Sequence, residues 1–445
     1  MKLDAFSPAF WLSALTLGSL AFPTFASDAK SRWFVDIRER AEYQFQLNDK
    51  FLGSAPKSGQ AEDGYLLSRL RVGLEHRFDQ HFSAKLSLQD SRVFGWGFQD
   101  SDWRSTEFSG IEDNPQSDPL ELGETWLAYE VGPIKTQIGR QAIAYGNNRV
   151  FGPGAWKNSG KWVWDAAKLR WQHEKNWLEV FAGKTMLHDP NAWSLGHRHG
   201  FDGMALYGHW QATPHLLLEP MTFQKKNDQS ADYQEKNLDY LGARLLWQKQ
   251  GWKLDTTALL QKGSVTKLAG LAVDSDAYAY HVDLSYRFNP KWQLGSTLAF
   301  ASGDDKKTAI NERFDGAYGA SDKYYGRMNL MAWSNLKHYG LLANYRPHRD
   351  WQFELELHRF YADQIQDSWR AYKNGLNASS RHYGDEVDLI THYQLSRQLG
   401  FQAGVGLFLP GKAVQQATAQ QQAFIGDDSA YSAFFQLEYR FGGTF

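Results

Sequence analysis

The feature that most constrains this chain is a hydrophobic period of two, which recurs in segments of about ten residues. Between residues 431 and 441, apolar side chains occupy the odd positions and polar side chains occupy most of the even positions. The same alternation runs through residues 278–288, 351–358, 387–395 and 399–409. Because successive side chains of a strand point to opposite faces, this pattern predicts a chain built from β-strands with one apolar face.

The connections between these segments alternate between short and long. The short connections are residues 79–81, 132–133, 173–176, 213–214, 249–251, 289–291, 346–350 and 396–398. The long connections, which are rich in Gly, Asp, Asn and Ser, are residues 91–119, 145–162, 187–201, 225–236, 303–329, 363–383 and 410–429. Strands of about ten residues can cross a bilayer when tilted. Tight turns at one end and long loops at the other are typical of an outer-membrane barrel, with short periplasmic turns and long extracellular loops.

The number of hairpins sets the expected size of the barrel. Eight short connections join sixteen strands. A first strand over residues 33–47 and a last strand over residues 431–441 raise the expectation to about 18, an even number as in bacterial barrels. The fold predicted is therefore all-β, a transmembrane antiparallel up-and-down β-barrel. Alternation is weakest within residues 183–224, so the strands there are the least certain.

Aromatic residues fit this interpretation better than they fit a soluble protein. They make up 15% of the chain, although its mean hydropathy is only −0.56. Trp177, Trp252, Trp292 and Trp351 each directly follow a short connection. Such rings prefer the headgroup region of a bilayer and form girdles around barrels. The apolar residues are thus expected on the outside, and the polar residues in the lumen and loops.

The first residues are typical of a secretory signal. An apolar run over residues 10–22 ends at Pro23, and Thr24-Phe25-Ala26 resembles a small-x-small cleavage site. We predict a signal peptide over residues 1–26 and one barrel domain over residues 27–445, placed in the bacterial outer membrane. A membrane-anchoring helix is the alternative for the first segment, although its apolar run is short for a span.

Other classes of protein are disfavoured by composition and motifs. The chain has no cysteine, which excludes disulfides, thiolate metal sites and a cysteine nucleophile. A formal net charge of −2 argues against a nucleic-acid partner. We find neither a nucleophile elbow nor a zinc-hydrolase motif, and expect no catalysis and no cofactor. His188, His197 and His199 are interpreted as solvated loop residues, with weak metal binding as the alternative.

Charged residues at alternate positions are expected to face the lumen, because charge on the lipid face is costly. Basic residues gather in the first strands, and carboxylates in the last. The basic set is Arg38, Arg40, Arg69, Arg71, Lys135, Arg140, Lys168, Arg170, Arg244 and Arg287. The acidic set includes Glu354, Glu386 and Asp388. The planar fork of arginine suits a carboxylate-bearing solute. The alternative is a wall of mutually neutralising pairs without a role in transport.

One segment carries a family resemblance. It contains Gly139-Arg140-Gln141, then Tyr145-Gly146, Arg149, Gly152, Trp156, Asp165-Ala166 and Arg170. This segment resembles the alginate export family of outer-membrane barrels. The resemblance implies a monomeric barrel with an electropositive constriction for an anionic polyuronate. It also implies Arg140, Arg149 and Arg170 as solute contacts, with Asp165 and Glu124 as their acidic partners.

Two functions follow as hypotheses. The first is an outer-membrane channel for an anionic, alginate-like saccharide with an Arg-lined lumen. The second is a general diffusion porin in which basic and acidic walls face each other across a transverse field. An outer-membrane enzyme and a secreted lectin-like β-protein are weaker hypotheses. Either channel would contact outer-membrane lipid and lipopolysaccharide and depend on the barrel assembly machinery. Both hypotheses allow a periplasmic partner.

Overall fold

A computed structural model of the chain describes most of the region predicted to form the barrel. The described residues are 30–47, 61–95, 116–154, 156–160, 162–227, 235–266, 270–319, 323–369, 375–420 and 426–445. The predicted signal peptide over residues 1–26 lies outside them. Among the described residues, no helix is both long and apolar enough to cross a bilayer.

Nineteen strand segments and one short α-helix make up the described structure. The strands are β1 (Ser31–Leu47), β2 (Ala61–Arg77), β3 (Phe82–Phe94), β4 (Asp118–Leu122), β5 (Thr125–Val131), β6 (Ile134–Ala142), β7 (Val163–His173), β8 (Asn176–Met186), β9 (His199–Thr213), β10 (Leu216–Asn227), β11 (Lys236–Lys249), β12 (Trp252–Thr266), β13 (Ala272–Arg287), β14 (Trp292–Ala301), β15 (Leu336–Tyr345), β16 (Trp351–Tyr361), β17 (His382–Gln394), β18 (Leu399–Pro410) and β19 (Ala430–Thr444). Helix α1 spans Lys412–Ala419.

The strands close into one barrel. Sequential strands pair antiparallel, and β1 also pairs with β19. At this seam, the N–H of Ser31 donates to the carbonyl oxygen of Phe445 at 3.0 Å, and the reverse bond measures 3.1 Å. Both β4 and β5 pair with β3, so they form one wall strand interrupted at residues 123–124. The result is the closed 18-stranded barrel that the sequence predicts.

The tight turns form at the predicted connections. In the turn before β3, the Asp79 carboxylate accepts hydrogen bonds from the N–H groups of His81 and Phe82, both at 2.7 Å. In barrels of this type the tight turns face the periplasm. Aromatic rings pack beside these turns: Trp292 stacks on Tyr345 with ring centroids 4.4 Å apart. This packing matches the periplasmic girdle expected from the sequence.

The region that the sequence leaves least certain, residues 183–224, forms regular strands. Its inward side chains are apolar and buried, among them Tyr207, Met221 and Phe223. These side chains belong to a hydrophobic cluster that includes Phe151 and Tyr318 from the loops. Alternation is weak here because both faces of the strands are apolar: one contacts lipid and the other contacts loops inside the barrel.

Candidate functional site

Two long connections fold into the lumen and meet there. The first inward loop comprises the described residues of 143–162, between β6 and β7, and the second comprises those of 302–335, between β14 and β15. The N–H of Tyr318 donates to the Val150 carbonyl at 3.1 Å, and the N–H of Gly152 donates to the Tyr318 carbonyl at 3.2 Å. The Phe151 and Tyr318 rings stack between them, so the loops form one constriction.

The first inward loop is held by side chains from the wall. The Arg40 guanidinium donates to the Trp156 carbonyl at 2.8 Å and lies 3.9 Å from the centre of the Trp156 ring. Arg38 donates to the side-chain oxygen of Asn158 at 3.2 Å. Gln89 donates to the Ser159 carbonyl at 2.7 Å. Arg38 and Arg40, which the sequence predicts to line the lumen, therefore anchor the loop.

The second inward loop is held by the acidic side of the wall. The Arg327 guanidinium contacts Glu354 at 2.9 Å and Glu356 at 2.6 Å. The N–H of Arg327 donates to Asp388 at 3.1 Å, and the N–H of Met328 donates to Glu386 at 2.8 Å. We call these four wall carboxylates the acidic cradle. The cradle thus binds a loop instead of facing open solvent.

Arg149 links the two inward loops to the wall. Its guanidinium donates to an Asp283 oxygen at 2.9 Å and to the Tyr325 hydroxyl at 3.1 Å, and it lies 4.0 Å from the centre of the Tyr324 ring. Arg149 is almost fully buried. The structure therefore places this predicted contact residue inside the constriction, with its charge paired.

Two further basic residues of the predicted set are tightly paired. Arg244 makes a bidentate contact with Asp255 at 2.7 and 2.6 Å and contacts Glu219 at 2.5 Å. Arg170 contacts Glu179 at 2.7 Å and lies 4.1 Å from the centre of the Trp177 ring. The structure thus assigns both arginines local partners.

The remaining members of the predicted set lie lower on the wall or at its rim. Lys135 and Arg287 are exposed near the periplasmic turns. Glu124 lies at the interruption between β4 and β5, with an oxygen 3.2 Å from the Lys85 ammonium. Lys168 is half-buried on the inward face of β7, and it forms no salt bridge within the described part of the chain.

A pair of arginines on β1 and β2 is the most unusual feature of the wall. Arg38 and Arg69 stand directly opposite each other in the strand register, and both are buried on the inward face. The nearest carboxylate oxygen to Arg69, from Asp36, is 3.6 Å away. Nε and Nη1 of Arg69 have no hydrogen-bond partner among the described residues. Arg71, the next inward residue of β2, hydrogen-bonds to Gln89.

Arg140 and Asp165 depart from the prediction that they line the lumen. They share the strand face of Ile138 and Leu169, whose side chains are 61% and 42% exposed on the outside. Arg140 makes a bidentate contact with Asp165 at 2.8 and 2.9 Å. Consecutive residues point to opposite faces, and Gln141 takes the inward position. Arg140 and Asp165 therefore form an outward-facing ion pair.

His188 and His197 also depart from their prediction as solvated loop residues. Both are buried against Asp118 and Glu121 of β4. His199 is partly exposed, with Nε2 3.0 Å from an Asp165 oxygen. About seventy residues separate the histidines from their carboxylate partners in sequence, so local spacing carries no signal for this cluster.

A closed antiparallel barrel with an apolar exterior, tight turns at one end and a constriction formed by inward loops defines an outer-membrane channel. The family model described as alginate export matches residues 34–427. The chain therefore belongs to the alginate export family and is a protein of the bacterial outer membrane, which confirms both predictions.

Solved structures show the same fold at low sequence identity. OccAB2 of Acinetobacter baumannii aligns with a TM-score of 0.62 and 12% identity over 93% of this chain and 98% of that one. OccK8 (OprE) of Pseudomonas aeruginosa aligns with a TM-score of 0.60 and 11% identity over the same shares. No curated protein sequence matches the chain.

Proposed function

We propose that this channel passes an anionic saccharide, of the alginate-like uronate class, along an arginine-lined side of its lumen. The observation that carries the proposal is the opposed pair of Arg38 and Arg69. Like charges directly opposite each other on neighbouring strands destabilise a sheet. Asp36 and Glu438 supply part of the countercharge to the pair. A solute carboxylate at this place would supply the rest and offer acceptors to the two Arg69 nitrogens that have no hydrogen-bond partner within the described structure.

The distribution of basic residues supports a path on this side of the barrel. Arg71 and Lys168 form no salt bridge with any described residue, and Arg170 and Lys135 lie toward the periplasmic end of the same group of strands. A polyuronate carries a carboxylate on every sugar ring. Successive rings could therefore pass from one cation to the next, as ions do in pores that select by charged side chains.

The acidic cradle answers the main objection to a polyanion path. Four inward carboxylates would repel such a solute if they faced the open lumen. Instead, Arg327 and two main-chain N–H groups of the second inward loop bind them. Arg327 and these N–H groups offset part of the negative potential that the carboxylates would contribute to the remaining space.

The general porin is the competing function. It requires a strong transverse field between exposed basic and acidic walls. The cradle weakens the acidic side of that field, because its carboxylates bind a loop. The observations therefore favour an anion path over an unspecific pore, and also over an enzyme.

Planar-bilayer conductance of the purified protein tests the proposal. We expect anion selectivity in simple salt and a reversible decrease in current when uronate oligomers are added. Neutral oligosaccharides of equal length serve as the solute control. Cation selectivity, or equal block by neutral and uronate oligomers, would contradict an anionic saccharide path and support the general porin.

The remaining partners are part of the same proposal. We expect a monomer, because β1 pairs with β19 of the same chain and closes the sheet without a second copy. The apolar exterior would contact outer-membrane lipid and lipopolysaccharide. Insertion would require the barrel assembly machinery, and a periplasmic partner would deliver or collect the solute. Light scattering of the detergent complex would test the monomer.

A further inference from the structure

We propose that the rim of this barrel contains a zinc site formed by Asp118, Glu121, His188 and His197. Two carboxylates come from wall segment β4, and two imidazoles come from the connection between β8 and β9, residues 187–198. The site does not depend on the transported solute, so it goes beyond the proposed function.

Asp118, Glu121 and His197 each offer a ligand atom, and these three atoms lie within 4.8 Å of one another, while His188 lies against both carboxylates as the fourth candidate ligand. Nδ1 of His188 lies 2.9 Å from an Asp118 oxygen and 3.0 Å from a Glu121 oxygen. Nε2 of His197 lies 3.6 Å from the other Asp118 oxygen. Zinc bonds to nitrogen and oxygen are about 2.0–2.1 Å, so neighbouring ligand atoms of a tetrahedral site are about 3.3 Å apart. The observed separations bracket that value.

When both imidazoles are neutral, the cluster carries two negative charges and no dication to balance them. All four side chains are buried, and within the described part of the chain no lysine or arginine forms a salt bridge with Asp118 or Glu121. A single imidazolium at His188 would neutralise one carboxylate and leave the other. Buried charges are costly unless they are paired or bind a metal ion.

A dication resolves this imbalance. Zinc would replace the proton that His188 Nδ1 places between the carboxylates, and it would balance both of their charges. His197 would turn its Nε2 lone pair to the metal and give up its 2.7 Å hydrogen bond to the Ala192 carbonyl. The Nδ1 proton of His197 would then face the sulfur of Met186, which lies 3.4 Å away.

The ligand types favour zinc over calcium and magnesium. Calcium and magnesium prefer sites made of oxygen alone. Two imidazoles with two carboxylates suit zinc, which takes nitrogen and oxygen ligands in a four-coordinate site. The supporting hydrogen bond from Gln89 to Glu121 orients one carboxylate, as metal ligands usually require.

A second cluster in the lumen shows the contrast. Glu356, His358 and Asp388 also offer three nearby ligand atoms. There, however, Arg327 contacts Glu356 at 2.6 Å and its N–H donates to Asp388. Arg327 already contacts two members of that cluster, so the cluster carries no metal proposal.

The position of the site suggests a consequence for the constriction. Gln89 donates both to Glu121 and to the Ser159 carbonyl of the first inward loop. Zinc would thus tie β4, the 187–198 connection and the first inward loop together. The metal would be structural, fixing the rim to which the constriction is attached.

Equilibrium dialysis of the folded, detergent-solubilised protein against zinc tests the site. We expect one tightly bound zinc per chain. Glu121→Gln and His188→Gln should each weaken binding by about tenfold or more, because each removes one metal ligand. His199→Gln is the matched control and should bind as the wild type does, since His199 contacts the outward Asp165 instead. Heat-modifiable migration on gels confirms that each variant is folded.

X-ray absorption at the zinc edge provides a second measurement. Bound zinc should show two nitrogen and two oxygen ligands at bonding distance. Absence of stoichiometric zinc, or equal affinity for wild type and Glu121→Gln, would overturn the proposal. Zinc surrounded only by water oxygens would overturn it as well.

Discussion

Arg38 and Arg69 stand directly opposite each other on β1 and β2, with both guanidinium groups on the inward face of the barrel. Arg38 uses part of its hydrogen-bonding capacity on the first inward loop through Asn158. Arg69 has Asp36 at 3.6 Å, and the charge of Glu438 also acts on it. The pair therefore combines an arginine that anchors the first inward loop with a buried arginine whose Nε and Nη1 have no hydrogen-bond partner in the described structure.

Replacing Arg69 should change selectivity. In Arg69→Gln we expect a clear fall in the anion-to-cation permeability ratio and weaker block by uronate oligomers, because one cation leaves the arginine-lined side of the lumen. Bilayer reversal potentials in a salt gradient measure the ratio. Arg359→Gln is the control, since Arg359 faces outward and pairs with Asp385. An unchanged ratio in Arg69→Gln would remove Arg69 from the path.

Replacing Arg327 should loosen the constriction. Arg327→Gln leaves the acidic cradle without its cation, and the resulting repulsion should displace the second inward loop. We expect larger single-channel conductance, more current noise and a shift toward cation selectivity. Arg349→Gln, at an exposed periplasmic turn, should leave all three unchanged. Identical traces for Arg327→Gln and wild type would show that the loop does not limit the current.

Removing the central ring of the constriction should lower stability. Phe151 is almost fully buried and contacts the rings of Phe181, Phe223 and Tyr318. Phe151→Ala should lower the free energy of unfolding by about 3–5 kcal/mol, through lost burial and the cavity left behind. Denaturant titration in detergent measures the change. Leu271→Ala, at an exposed site, should have a much smaller effect.

The second inward loop should weaken in acid. Burial opposes ionisation of Asp315, but Lys225 and Lys236 outweigh it and lower the pKa of its carboxyl to about 2. Relative to an ordinary pKa of 3.8, the ionised form stabilises the fold by roughly 2 kcal/mol. This contribution is fully present above about pH 4 and is lost as the pH falls through about 2.

Unfolding measured between about pH 2 and pH 5 tests the role of Asp315. Stability should fall toward the acid end in wild type, and the Asp315→Asn variant should lose that part of the slope. Asp305→Asn is the control, because Asp305 lies near the start of the same loop and does not contact Lys225 or Lys236 in the described structure. An equal slope in wild type and Asp315→Asn would assign the acid response to other carboxylates.

Local alternation predicts the barrel well because each wall residue faces either lipid or lumen. Residues 351–358 show how directly the rule applies: Trp351, Leu355 and Leu357 are exposed on the outside, whereas Glu356 and His358 are buried within. The rule fails at Arg140 because the next residue, Gln141, is also polar. Polarity alone does not decide which of the two faces the lumen, and the register of β6 with β7 places Gln141 inside.

The structure inside the barrel is harder to predict from the sequence than the wall is. Loops that fold inward and loops that extend outward are both rich in polar residues and glycine, so composition does not separate them. Tyr318 and Phe151 meet only after two connections more than 150 residues apart enter the same lumen. The proposed zinc-ligand cluster has the same origin, since His188 reaches Glu121 across the folded rim.

The wall holds both inward loops chiefly through their main chain. Arg40 binds the carbonyl of Trp156 and Gln89 binds that of Ser159, while Glu386 accepts from the N–H of Met328. Every residue type offers these main-chain groups, apart from the N–H that proline lacks. The barrel wall can consequently bind inward loops that differ in side-chain composition. Loop side chains other than the anchoring Arg149 and Arg327 can be exchanged to suit a different solute while the attachment points stay in place.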